Sequence, residues 1–299
     1  MRTPTYLVTL RYAAAIFVTA VFMFPIFWWT LTSIKPTNAI FNKDEVVWFD
    51  FEPTLINYRV TVMGESPSAL TGGSTGSGTT MGTGGENSFD GRRTIVDSII
   101  IAVGSTIFTI IVAVGAAYAL SRMTFRGNQA YLNWVLSYRF MPPIAIIVPL
   151  VFMFRDLGLR DTHLGIILVH SLINLPIAVL LLKSFLDDIP KDVDQAAMID
   201  GATRWQSFRL VVLPMIKGGI AATAVLCFVF SWTEFLLSLF LTSEIRTLPV
   251  KITTFVTSTG SEWGFIAALG TSAMIPSFIF ILLVQRHLVR GLTMGAIKD

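Results

Sequence analysis

Six stretches of this chain are long and apolar enough to cross a membrane, and no other feature restricts the fold as much. They cover about 12–34, 97–120, 130–154, 162–182, 219–242 and 265–284. A transmembrane helix needs roughly 20 predominantly apolar residues to cross the hydrocarbon layer. The composition agrees: only 14% of the 299 residues are charged, 53% are hydrophobic, and the mean hydropathy is +0.68. A soluble globular chain carries about 25% charged residues. The expected class is therefore an all-α, polytopic membrane protein with six spans. The first run is too long for a signal-peptide core and lacks a small-x-small site, so it reads as a retained span.

Orientation follows from lysine and arginine, which accumulate on the cytoplasmic side. With the N-terminus inside, the inner segments hold twelve of them, from Arg2 to Lys298, and the outer segments nine. The inner twelve also occupy less chain. Both termini are expected on the cytoplasmic side. The net charge of +3 is spread along the sequence, without the basic block that tracks nucleic acid. One cysteine, Cys227, lies in an apolar run and excludes an intramolecular disulfide.

The division expected is a tail and first span (1–34), an external loop (35–96), and a core with five spans (97–299). Residues 43–63 of the loop mix aromatics with charges, a composition compatible with order. Residues 64–91 are glycine, serine and threonine for the most part and cannot bury enough surface to offset their ordering entropy. Within them GGSTGSGTT (72–80) resembles a P-loop, G-x-x-x-x-G-K-[ST]. Thr79 stands where the lysine belongs, no buried strand precedes it, and the topology places it outside, where there is no ATP pool. It reads as a flexible loop.

The inner connection 187–214, DDIPKDVDQAAMIDGATRWQSFRLVVLP, is built as two short helices. Pro190 suits a first helical position, Val193, Ala196 and Ala197 share a side, and Gly201 permits a bend. Thr203 with Gln206 forms a capping box for the second helix. Trp205, Phe208, Leu210 and Val212 give that helix apolar substance, and Pro214 is expected to end it.

Gln195-Ala196-Ala197-Met198-Ile199-Asp200-Gly201-Ala202, followed by Leu213-Pro214, resembles the EAA loop of permease subunits in binding-protein-dependent ABC importers. RFMPPIAIIVPL (139–150), FSWTEFLLSLFLT (230–242) and GLTMGAIKD (291–299) are similar to the carbohydrate-uptake branch, and especially to the second permease of maltose-type transporters. The resemblance covers the chain apart from the glycine-rich stretch. It implies the type I importer permease fold, with cytoplasmic coupling helices between spans four and five. The implied partners are a second, homologous permease, two cytoplasmic ATPase subunits and an external solute-binding protein, around a sugar or polyol substrate and within membrane lipid. The implied contacts to the ATPase are Gln195, Ala196, Ala197, Asp200, Gly201, Ala202, Trp205 and Phe208. Gln195 replaces the family's glutamate, keeping its length and hydrogen-bonding capacity but losing the charge of a salt bridge. Asp194, one residue earlier, points about 100° away around a helix.

Three residues are candidates for the translocation path. Arg139 lies within a span and would line the path, pair with a carboxylate such as Glu234, or bond carbonyls loosened around Pro142 and Pro143. Prolines at that depth also point to a broken helix. Glu234 offers a hydrogen bond to substrate, and Trp232 a stacking face, with an interfacial aromatic belt as the competing explanation. His163, His170 and His287 have no metal-ligand spacing, and His170 reads as an interhelical hydrogen-bonding group. The outer connection 243–264 and the tail 291–299 are expected to meet the binding protein and the ATPase interface. No nucleophile, base and orienter assemble, so the chain is expected to be no enzyme and to hold no metal or cofactor, ATP being bound by the partners. The rival readings are an ABC permease for a non-carbohydrate solute, or an ion-coupled secondary transporter using Arg139 and Glu234. The second would need paired repeats, and two matching halves are not visible.

Overall fold

The computed structural model describes residues 5–42, 46–65, 90–124, 126–257 and 260–294; the side chains of Thr5, Arg139, Thr257 and residues 286–294 lie outside that description. The loop GGSTGSGTT and the last five residues also lie outside it, as do the side chains of the rest of the tail.

The described chain is mostly helical. Four helices are long and apolar enough to cross a membrane: α1 (Thr5–Ser33), α4 (Gly91–Arg122), α7 (His163–Asp187) and α13 (Trp263–Met294). Two bent pairs raise the possible number to six. The first is α5 (Asn128–Arg139) with α6 (Pro143–Asp156), which meet at 90°. Pro142 is extended (φ −62°, ψ 122°) and Pro143 opens α6. Neither proline has an N–H to donate, so the helix cannot run through them. The expected continuous span at 130–154 is therefore broken where its prolines lie.

The second bent pair is α9 (Arg204–Met215) with α10 (Lys217–Trp232), at 73°. At 16 residues, α10 is only about 24 Å long, short of a full crossing. The expected span 219–242 stops being helical at Thr233 and resumes as α11 (Leu236–Leu241). Pro214 does not end the second loop helix. The ladder widens to a π-turn over Phe208–Val212, with the Leu213 N–H reaching the Phe208 carbonyl, and Pro214 sits in the following turn. That turn closes at Ile216, where the chain bends into α10.

Two compact units are distinguished. One comprises residues Met1–Arg93 and Lys251–Met274. In it Asn57, on the short helix α3 (Ile56–Thr61), donates to the carbonyls of Ser33 and Lys35 at 2.9 and 3.0 Å, satisfying the end of α1. The Tyr58 hydroxyl meets that of Ser33 at 2.7 Å, and the Lys35 ammonium lies 4.3 Å from the Trp28 ring centroid. The segment after α1 is thus folded onto its end, beginning with the short helix α2 (Thr37–Ile40). The most apolar window of α1 buries nothing.

The other unit comprises Thr94–Val250 and Ile275–Asp299. Its centre is α7 packed along α10. One apolar cluster joins Ala113, Ala117, Leu182, Leu186, Val212 and Cys227; a second joins Ile101, Leu150, Ile166, Val169, Leu237 and Leu241. Residues between the two clusters in sequence include Ser105 on α4, His170 on α7 and Ser231 on α10, described below. The short helix α12 (Leu248–Ile252) ends in the first unit, whose two-residue hairpin β1 (Val256–Thr257) with β2 (Gly260–Ser261) leads into α13.

Candidate functional site

The loop helix α8 (Asp192–Ile199) is held on one side and bare on the other. Asp194 is buried. Its carboxylate accepts a hydrogen bond from the Tyr118 hydroxyl (3.0 Å) and forms an ion pair with Arg122 Nε at 2.8 Å; the Ser207 hydroxyl lies at 3.5 Å. Arg122 also donates through Nη2 to the Ile189 carbonyl (3.0 Å), and Ser121 donates to Asp187 (2.6 Å). The last turn of α4 is in this way tied to residues 187–194. Asp194 therefore faces its own chain and cannot stand in for the missing charge at the exposed Gln195.

The turn after α8 has the geometry its residues demand. Gly201 adopts φ +92°, a region that favours glycine. The N–H groups of Gly201 and Ala202 reach back to the carbonyls of Met198 and Ala197, closing the helix as left-handed C-terminal turns do. Thr203 then caps α9: its hydroxyl accepts the Gln206 N–H (3.3 Å) while the Gln206 side chain accepts the Thr203 N–H (2.7 Å). The capping box is formed as expected. The start of α8 is shifted, with Asp192 rather than Pro190 opening the helix.

Beyond Gln195, the exposed positions include Ala196, Asp200 and Gly201, flanked by Ile199 at 86% exposure and Trp205 at 65%. Two large exposed apolar side chains next to a low-profile alanine surface form an adhesive face on an otherwise polar loop. Ala197 and Ala202 are half-buried. Phe208 departs from its expected place: it is buried, with its ring 4.6 Å from Tyr118 and 5.3 Å from Trp205. It seats the loop from beneath.

Within the apolar bundle, His170 on α7 connects three elements. Its Nδ1 lies 2.7 Å from the Ser231 hydroxyl, and its Nε2 lies 3.1 Å from Glu234 Oε2 and from the Ser238 hydroxyl. Ser105 of α4 donates to Ser231 at 2.8 Å. With Ser231 accepting from Ser105, its own O–H donates a hydrogen bond to Nδ1, so the neutral imidazole carries its hydrogen on Nε2 and donates it toward Glu234. His170 is thus the interhelical group its position implied. Glu234 caps α11, accepting the N–H groups of Leu237 (2.8 Å) and Ser238 (3.0 Å). Trp232 is buried and stacks at 5.5 Å on Phe228, with planes 16° apart, so one face of its ring is covered by the chain itself. Arg139 closes α5, and its side chain lies outside the described residues, as does any pairing with Glu234.

On the side of the chain expected to be external, Asp161 adopts φ +58° and its carboxylate accepts the backbone N–H groups of Ser243 (3.0 Å), Glu244 (3.1 Å) and Ile245 (3.1 Å). Burial pushes this carboxyl up, but those three hydrogen bonds and the charge of Arg160 outweigh it and hold it below the usual carboxylate range. A depressed folded-state value means that the tie is fully present above the unfolded value of about 3.9 and is lost as pH falls through the folded one. Asp161→Ala should therefore raise amide exchange at residues 243–245 about tenfold at neutral pH, since losing such acceptors costs on the order of 1–3 kcal/mol. The parent should reach that state only below about pH 4; hydrogen-exchange mass spectrometry across pH reads both. Nothing local in the sequence linked Asp161 to 243–245, or Asp194 to Arg122 and Tyr118.

Comparison with known proteins accounts for this arrangement. The family model for the binding-protein-dependent transport system inner membrane component matches residues 109–294. The sulfoquinovosyl glycerol transport system permease protein SmoH of Agrobacterium fabrum is 32% identical over 97% of this chain and 93% of its own. The trehalose transport system permease protein SugB of Mycobacterium tuberculosis is 33% identical over 92% of each. Among solved structures, a bacterial ABC transporter involved in the import of the acidic polysaccharide alginate superposes with a TM-score of 0.68, at 18% identity, over 96% of this chain and 98% of the other; at that identity it speaks for the fold alone, a type I importer permease fold. A membrane protein with a loop anchored inward and bare outward, matched over most of its length by such relatives, belongs to the family of inner-membrane components of binding-protein-dependent transport systems.

Proposed function

We propose that this chain forms half of the translocation path of an ATP-driven importer for a sugar or polyol, glycerol among them. It pairs with a second, homologous permease, receives solute from an external binding protein, and rests on two ATPase subunits through residues 187–214. Both termini face the cytoplasm of a bacterial cell. The chain itself performs no chemistry, and ATP is bound and hydrolysed by its partners.

The observation that carries this reading is the two-sided loop. Asp194 and Phe208 fix it from within, while Gln195, Ala196, Asp200, Gly201 and Trp205 present the face for the ATPase groove, Ala197 and Ala202 backing it. Gln195 enters that contact as a neutral hydrogen-bonding group. The apolar α1, with nothing buried along its most apolar window, is suited to lipid and to the partner permease. A carbohydrate substrate is supported by the relatives named for sulfoquinovosyl glycerol and trehalose transport, and the external binding protein selects among such solutes. Glu234 and Trp232 serve the path mainly by holding its walls. The test is reconstitution of the whole complex with its binding protein, measuring ATPase stimulation across sugars, polyols, amino acids and peptides. Stimulation confined to sugars or polyols is expected; stimulation by peptides or amino acids alone would overturn the carbohydrate assignment.

A further inference from the structure

We infer that Asp194, Arg122 and Tyr118 form a strut that makes the last turn of α4 move with the coupling helix α8. The inference rests on the coupling role proposed above and adds a route by which movement enters the bundle. By backbone alone, α8 is joined to α7 through residues 188–191 and to α9 through Gly201, whose φ of +92° marks a tight turn. Neither connection leads to α4. The side chains do. The Arg122 and Asp194 side chains are only 6% and 10% exposed and pair at 2.8 Å, and the Tyr118 hydroxyl bonds the other carboxylate oxygen at 3.0 Å.

Arg122 holds the Ile189 carbonyl with its second arm, and Ser121 holds Asp187, which is also paired with Lys183. Four polar ties therefore fasten one helical turn to the segment 187–194. A cleft of about 130 Å³ opens beside the ion pair, lined by Gln195, Met198 and Arg204 among others. Packing on that side is incomplete; beneath the loop Tyr118, Ile189, Val193 and Phe208 share an apolar cluster, and the polar ties fix the register of that contact. A buried charge pair with hydrogen bonds resists separation, because each partner would be left desolvated and alone. Tyr118, Arg122 and Asp194 are positioning residues: their side chains point away from the exposed docking face.

The experiment places nitroxide labels at Ile111 on α4 and Asp192 on α8, both exposed and outside the docking face, whereas the native Cys227 is buried. Distances are measured in the complete reconstituted complex, with binding protein, before and after ATP with vanadate. In the parent the α4–α8 distance should not change. In the double variant Arg122→Met with Asp194→Leu, which leaves no unpaired charge, it should change by several ångströms while the ATPase subunits still copurify. Asp194→Glu should behave as the parent, and Tyr118→Phe should fall between. A distance that changes in the parent, or is unchanged in the double variant, would overturn the strut. Loss of the ATPase subunits from the double variant would overturn it too, by placing the pair in docking. ATPase subunits that remain bound to a Gly201→Asp chain count against the docking reading instead, so the two failures are distinguishable.

Discussion

Gly201→Asp is expected to abolish ATP-driven uptake, by a hundredfold or more, while leaving the membrane-embedded part of the chain folded. Two effects act at one position. At φ +92° any side chain meets backbone strain, on the order of 1–2 kcal/mol. A Cβ added there would meet nothing among the described residues within 4 Å, so the remaining cost falls on whatever approaches from outside. Aspartate would put a second carboxylate next to Asp200, on the face proposed to meet the ATPase. Gly201→Ala isolates the first effect and should reduce uptake only about tenfold, as 1.4 kcal/mol corresponds to one factor of ten. Copurification of the ATPase subunits, with uptake in proteoliposomes, measures both variants. Normal uptake by the aspartate variant would remove the loop from the coupling path.

The second large effect is expected at Glu234. Truncation to alanine strips acceptors from His170, from the Ser238 hydroxyl and from two backbone N–H groups of α11. Burying such donors without partners costs about 1–3 kcal/mol each, so the total loss should be at least 3 kcal/mol even after relaxation. The thermal midpoint of the detergent-solubilised chain should drop by several degrees, and uptake should fall with it. Glu234→Gln keeps one acceptor oxygen but turns an NH₂ toward a donor, and should lie between. His170→Ala leaves the cap on α11 intact and should cost less than Glu234→Ala. These measurements separate two roles: a group that only touched substrate would lose uptake with an unchanged midpoint, whereas a capping carboxylate loses both.

What could be read from the chain without coordinates was local. Apolar runs mark spans because lipid demands them, Pro142–Pro143 mark a break because neither residue can donate, and Thr203-x-x-Gln206 marks a helix start because the two groups satisfy each other. Gly201 declared its turn for the same reason. The contacts that assemble the site join residues far apart in sequence. Arg122 and Asp194 are each ordinary for their positions, one a cation at the end of a span and the other an acid in a helical first turn. Only folding shows that they meet. Glu234 looked like a path residue because charge within a span is costly, and the coordinates give that cost a structural return: the carboxylate replaces the hydrogen bonds lost where α10 breaks before α11. Pro214 misled because a widened turn, invisible to residue spacing, carries the helix past it.

Uptake into proteoliposomes holding the complete assembly, with and without ATP in the lumen, tests the central claim most directly. With external binding protein and lumenal ATP, solute should accumulate, and with a proton or sodium gradient but no ATP it should not. Accumulation driven by the ion gradient alone would contradict the account, making the chain a secondary transporter and its exposed loop face a surface without a motor.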